Sequence, residues 1–150
     1  EQHNNNSQSL YKTWWNRDGN DYQGLEESLN LLLKLSANYN NADNNNIVGV
    51  LGFSQGARLA HLVALLHTDQ PATWFPNLKF VILVAGYDAP LPDRFPITTT
   101  EETIINTPSL HVWGLSDPLI APDQSQAVMT RGYYRPQSYI HDGKHYVPTK

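Results

Sequence analysis

Three stretches of the chain are continuously apolar where a half-exposed strand would alternate. Residues 47–53, Ile-Val-Gly-Val-Leu-Gly-Phe, are rich in β-branched residues and lie between asparagines and a Ser-Gln-Gly signal, the pattern of a strand buried on both faces. Residues 79–86 and 109–113 repeat it. Elsewhere the period changes. Tyr22, Leu25, Leu29, Leu32 and Ser36 recur on steps of three and four, with Glu26 and Glu27 in the first turn and Asp21 available as a cap; this predicts an amphipathic helix. Ala57, Leu59, Leu62, Val63 and Leu66 predict a second, largely apolar helix that stops before Asp69-Gln70-Pro71. Residues 121–131 predict a weaker third, with Pro122 tolerated in its first turn. A last short strand, residues 137–140, precedes the turn Asp142-Gly143-Lys144-His145. Strands of this kind, separated by helices or long crossovers, imply a sheet that is parallel and covered on both sides. The fold class is therefore α/β, a mainly parallel sheet of about four visible strands flanked by helices, with no internal repeat. Two Asn-rich segments, residues 4–6 and 38–46, hold little that could pack and read as a loose end and a surface loop.

A length of 150 residues fits one domain. With 40% hydrophobic and only 16% charged residues the chain is too apolar for intrinsic disorder. Ten basic residues, scattered rather than clustered, and a net charge of -4 leave no electrostatic footprint for nucleic acid. No apolar run approaches the roughly 20 residues that cross a bilayer, and a cytoplasmic location is the expectation. The first residue is Glu1 and the sole methionine is Met129, so further chain is expected ahead of it. Asn5-Asn6-Ser7 has the form of a glycosylation acceptor, read here as chance in an Asn-rich tail. The absence of cysteine matters most for chemistry. It removes disulfides, thiolate metal sites and a Cys nucleophile, leaving Ser, Thr, Lys or a carboxylate for covalent catalysis.

Gly52-Phe53-Ser54-Gln55-Gly56 has the G-x-S-x-G form and lies where a predicted strand passes into a predicted helix, the context of a nucleophile elbow. A serine on such a strained turn exposes its hydroxyl above the carboxyl edge of the sheet. Glycines two positions to either side, Gly52 and Gly56, are expected because a Cβ there would meet neighbouring backbone. The N–H of Gln55, at the helix N-terminus, is aimed at a developing oxyanion. The partners follow in the order Ser, acid, His. Asp117 comes after the strand ending at Trp113, and His145 after the last strand. Asp123 suits a helix start better, and Asp142 is too near His145 in sequence to orient it easily. His141 and His145 have metal-pair spacing, but an Asp-Gly turn separates them and no third ligand is evident. His61, His67 and His111 read as structural. No metal and no cofactor are expected.

These motifs resemble the FSH1-type serine hydrolase family, α/β-hydrolases that include the ovarian-cancer-associated serine hydrolases. The resemblance rests on five ordered segments: Trp14-Trp15 with Tyr22-Gln23-Gly24-Leu25-Glu26-Glu27-Ser28-Leu29; residues 49–57, GVLGFSQGA; residues 83–87; residues 109–117, SLHVWGLSD; and residues 141–148, HDGKHYVP. It implies an α/β-hydrolase fold and hydrolysis of a carboxylic ester by an acyl-enzyme route. It assigns Ser54, Asp117 and His145 as triad and supports Gln55 as one oxyanion donor. Lys144 stands where relatives show a second glycine. Trp14 and Trp15 read as packing for the following helix rather than as substrate contacts.

The resemblance also implies an N-terminal strand with a His-Gly loop that supplies a second oxyanion donor, and a helix after the histidine loop; neither is legible in the chain. The expectation is a portion of a longer domain, incomplete at both ends, with its first strand edge uncovered. Two other readings stand against ester hydrolysis: a non-catalytic remnant serving as a binding or scaffold module, and a nucleotide-binding α/β module. The second lacks both G-x-G-x-x-G and G-x-x-x-x-G-K-S/T. The expected partner is a small-molecule ester; oligomeric state is not legible.

Overall fold

The computed structural model describes residues 13–18, 21–40, 46–89 and 103–149. The Asn-rich tail at residues 4–6, the glycosylation-like Asn5-Asn6-Ser7 and residues 41–45 of the expected loop lie outside them.

A small antiparallel hairpin opens the described chain: β1 (Asn16–Asp18) pairs with β2 (Asp21–Gln23), Arg17 opposite Tyr22. Helix α1 (Leu25–Asn40) follows directly. This corrects two expectations. Asp21 and Tyr22 belong to a strand, and Asp21 Oδ1 accepts from the adjacent Tyr22 N–H instead of capping the helix. Gly24, at φ +91, makes the turn between them, in a backbone region that other residues rarely enter. The spacing was right where the helix exists: Leu25, Leu29 and Ser36 are buried. At its other end α1 runs through residues 38–40, read above as loop. Polar residues are tolerated in a last exposed turn, so composition there did not mark the boundary.

The main sheet is wholly parallel. Its order is β3 (Gly49–Phe53), β4 (Phe80–Val84), β5 (Ser109–Gly114), β6 (Gln137–His141). Helix α2 (Gln55–Asp69) joins β3 to β4, and α3 (Pro122–Gly132) joins β5 to β6. Right-handed crossovers running in one direction place both helices on the same face of the sheet. Burial agrees. In register, Gly52, Leu83 and His111 form a buried row, while the next row, Leu51, Ile82 and Leu110, is only partly covered and Leu51 is 60% exposed. The expected cover on both faces is thus present on one among the described residues, and β3 has a strand partner on one side only. The core lies under α2, where Leu62, Val63, Val81, Leu83 and Ile105 are almost fully buried. Ser36 ties α1 to the connection after α2 by accepting from the Phe75 N–H at 3.1 Å.

Because all four strands run the same way and end in register (Phe53 beside Val84, Val84 beside Val112, Val112 beside Tyr139), the loops after them emerge along one edge. Ser54, residues 85–89, Asp117 and His145 all lie on those loops.

Candidate active site

The passage from β3 to α2 takes a single residue. Ser54 has φ 54 and ψ -118, a positive φ that a side chain rarely adopts. Its N–H continues the ladder to Val84 O at 2.8 Å, and its carbonyl accepts from the Ala57 and Arg58 amides. The reversal brings helix backbone onto the strand. A Cβ on Gly52 would lie 2.0 Å from Gly56 O, so only glycine fits there. Gly56 is different, and the symmetrical expectation fails for it: the nearest atom to a Cβ would be Trp14 Nε1 at 3.5 Å, an ordinary contact. Gln55 N–H is among the first-turn amides that a helix leaves without an internal acceptor, at the positive end of the α2 dipole.

On the other side of the edge, the loop after β5 and the loop after β6 are hydrogen-bonded to each other. Leu115 N–H donates to His141 O and Ser116 N–H to Gly143 O. Gly114 permits the approach, since a Cβ there would stand 2.2 Å from Gly143 O. Gly143 in turn leaves room for the Tyr146 hydroxyl. Neither glycine was singled out from the sequence; a glycine closing an otherwise apolar strand is the signal of close backbone approach that would have found Gly114. These contacts bring the side chains together: His145 Nδ1 is 2.7 Å from Asp117 Oδ2. Asp117 Oδ1 accepts from the Leu119 and Ile120 amides at 2.9 and 3.0 Å.

Burial pushes the Asp117 carboxyl upwards, but the Ile120 amide, the His145 hydrogen bond and the Leu119 amide outweigh it and hold the group below its ordinary value. An ionised Asp117 can only accept, so the proton of this hydrogen bond sits on His145 Nδ1. The Phe53 ring packs on the His145 imidazole at 4.7 Å between centroids. Among the described residues no hydrogen bond joins Ser54 Oγ to His145. Lys144 is exposed and its φ is not positive, so the charged residue is accommodated without backbone strain.

The competing acids are elsewhere. Asp123 lies in the first turn of α3 and accepts from the adjacent Gln124 N–H, and Asp142 is exposed. His141 accepts from Gly143 N–H through Nδ1 and packs against Tyr146. Among the described residues no group of three or more His, Cys, Asp or Glu could hold a metal ion. His67 Nδ1–H donates to Trp74 O. His61 Nδ1 shares a 2.9 Å hydrogen bond with the Tyr133 hydroxyl, and His111 stacks edge-on against the same ring.

Three features beside the site were not read from the sequence. The tryptophan pair splits: Trp15 is 4% exposed and packs on Tyr22 in the core, while Trp14 is 39% exposed. Arg58, 3% exposed on α2, donates to Ala89 O and pairs with Asp88 at 3.1 Å. Ser125 on α3 donates to Gly86 O at 2.6 Å. Arg58 and Ser125 together pin residues 86–89, the segment between the serine turn and the acid loop. A lone cation inside an otherwise apolar helix was the available signal for Arg58.

Comparison with known proteins agrees with this architecture. The family model described as serine hydrolase (FSH1) matches residues 1–150. Esterase OVCA2 of Xenopus tropicalis is 33% identical over 147 residues, covering 90% of this chain and 59% of the relative. Esterase OVCA2 of Homo sapiens is 35% identical over 127 residues, covering 84% of this chain and 52% of the relative. The chain thus spans about half the length of the curated relatives it matches. In three dimensions it superposes on Zea mays acyl-protein thioesterase 2 with a TM-score of 0.58 at 20% identity, covering 91% of this chain and 66% of the other, a likeness in fold. No described helix is long and apolar enough to cross a membrane.

Proposed function

The chain belongs to the FSH1 family of serine hydrolases, and from that premise we propose that it hydrolyses a carboxylic ester through an acyl-enzyme, with Ser54 as nucleophile, His145 as general base and Asp117 as the group that orients it. The observation that carries this reading is the 2.7 Å contact between His145 Nδ1 and Asp117 Oδ2, on the sheet edge where the Ser54 turn opens. His145 Nε2 takes the proton from Ser54 Oγ as the oxygen attacks the ester carbonyl. The oxyanion that forms faces the Gln55 N–H and the α2 dipole. Collapse expels the alcohol, which leaves with the proton held on His145. A water molecule, deprotonated by the same nitrogen, then attacks the acyl group and releases the acid and free Ser54. Asp117 stays ionised throughout, holding the imidazole in one tautomer and stabilising its cation.

The names of the relatives support an ester as substrate. One observation favours the non-catalytic alternative, the lack of a hydrogen bond between Ser54 and His145 among the described residues. Catalytic hydrogen bonds are often long without substrate and tighten in the complex, which weighs against that alternative. Labelling of the full-length protein with a fluorophosphonate decides between the two: Ser54 becomes phosphonylated and the Ser54→Ala variant does not react. A wild-type protein that stays unlabelled sinks the hydrolase reading.

A further inference from the structure

Trp14 and Trp15 stand just before the hairpin, whose ladder begins with Asn16 opposite Gln23. Their backbone is held by a side chain from the far side of the sequence. Gln55 Oε1 accepts from the Trp14 N–H at 2.8 Å, and Gln55 Nε2 donates to Trp15 O at 2.9 Å. One amide group therefore serves two consecutive residues, using one end as acceptor and the other as donor. From α1, Ser28 Oγ donates to Trp14 O at 2.5 Å. The indole joins the same contact, with Trp14 Nε1 placed 3.5 Å from where a Cβ on Gly56 would be. Trp15 fixes the segment to the core beneath.

Gln55 is also the residue whose N–H faces the proposed oxyanion. Its backbone lies on a turn already strained at Ser54, where φ is positive. A strained turn persists only if its surroundings over-determine it. On one side Ser54 N–H is tied to Val84 O. On the other, rotation of residue 55 would break both bonds of its amide to Trp14 and Trp15.

We propose that Gln55 is a positioning residue: its side-chain amide docks the Trp14–Trp15 backbone on the serine turn and so holds its own N–H in line with the oxyanion. This rests on the assignment of Ser54 and of the Gln55 N–H made above. The role belongs to the side chain and is separate from the backbone donor, which any residue but proline supplies. Glutamate would keep the acceptor for Trp14 but set an oxygen against Trp15 O. Methionine has the length and neither bond.

The test compares wild type, Gln55→Met and Ser28→Ala in the full-length protein. Turnover of p-nitrophenyl acetate is expressed per active site titrated with a fluorophosphonate, and exchange of the Trp14 amide hydrogen is followed beside it. Gln55→Met is expected to lower kcat by about 10- to 100-fold with KM within about threefold, because misaligned groups lose transition-state rather than ground-state contacts. The Trp14 amide should exchange about tenfold faster or more. Ser28→Ala, which releases Trp14 from the opposite side and leaves α2 intact, should lower kcat by about two- to fivefold, and it answers the question if Gln55→Met does not fold. A merely structural role would lower the melting temperature and leave kcat per titrated site unchanged. A kcat within about twofold of wild type in Gln55→Met overturns the proposal, as does an unchanged Trp14 exchange rate in that variant; where Gln55→Met does not fold, a kcat of Ser28→Ala equal to wild type overturns it. If wild type is not labelled at Ser54, the hydrolase reading fails and the catalytic half of this proposal with it. The exchange rate separates the two failures, since it reads the docking without turnover.

Discussion

The ring of Phe53 packs against the imidazole of His145 with 4.7 Å between centroids and a tilt of 39°. The residue that precedes the proposed nucleophile therefore touches the proposed base. It covers one face of the ring whose edge Asp117 holds at 2.7 Å. Replacing Phe53 by Ala should free the imidazole to swing about that one hydrogen bond. We expect kcat/KM to fall about 10- to 100-fold, with a loss of stability of about 2 kcal/mol for a half-buried ring. Phe53→Leu, which keeps an apolar cover, should recover most of the activity. Steady-state kinetics on a short ester reads both, and an undiminished Phe53→Ala rate would remove this contact from the mechanism.

Asp117→Asn tests the orienting role proposed for Asp117. The amide can donate as well as accept, which lets the imidazole settle in the wrong tautomer, and on the proposed mechanism kcat should drop on the order of 10⁴-fold. The same residue gives a sign for stability. Its carboxyl is held below its ordinary value in the folded protein, so the unfolded chain binds a proton first as the pH falls. The stabilisation is complete above the ordinary carboxylate range and is lost as pH falls through the folded value. In Asp117→Asn the acid limb of stability, followed by chemical denaturation, should be shallower.

A second acid-sensitive site lies away from the proposed chemistry. Burial, with smaller contributions from Arg58 and His111, lowers His61 to about 3, and burial lowers His111 to about 4. Both are neutral in the folded protein, while the unfolded chain takes up protons near 6.5. Stability should be level above that pH and fall below it, by about 1.4 kcal/mol per pH unit for each histidine, until the folded values are reached. Substituting Asn for His61 should remove about one proton from the slope between pH 6 and 4. An unaltered slope would mean that His61 is protonated in the folded state.

The two glycines of the serine motif should behave unequally. A Cβ on Gly52 would overlap Gly56 O, which is backbone and cannot step aside. Gly52→Ala is therefore expected to cost about 3 kcal/mol or more and to abolish labelling of Ser54. Gly56→Ala meets only the Trp14 indole at contact distance and should keep the fold and the labelling. Thermal melts beside probe labelling distinguish the two, and equal damage at both positions would contradict the geometry.

A similar substitution probes the junction of the acid and histidine loops. A Cβ on Gly114 would press on Gly143 O and Lys144 O, driving apart the loops that carry Asp117 and His145. Gly114→Ala should lower kcat more than it lowers the melting temperature. Restoration of wild-type turnover by any larger residue there would show that the loops need not touch.

Much of this was legible in the chain, and the limits fall where physics puts them. The parallel sheet, its order of elements along the chain and the serine turn follow from local pattern, because period and β-branching report what each residue faces. The hairpin at Asn16 to Gln23 was missed since three-residue strands are too short to show a period. The tryptophan pair was read as one unit, yet Trp15 is buried and Trp14 exposed, and only the fold says which of two neighbouring side chains meets the core.

By itself the sequence determined the α/β class and the place of Ser54 on a strained strand-to-helix turn, and it pointed to Asp117 and His145 ahead of the other acids and histidines. Those are local properties of backbone conformation and hydrophobic period. The tertiary structure decided that Asp117 rather than Asp123 or Asp142 meets His145, 28 residues away. It decided that Gly52 is obligatory where Gly56 is not, and that Gln55 holds a backbone about 40 residues upstream. Such contacts depend on strand order and register, which set distances between segments that no pattern along one segment encodes.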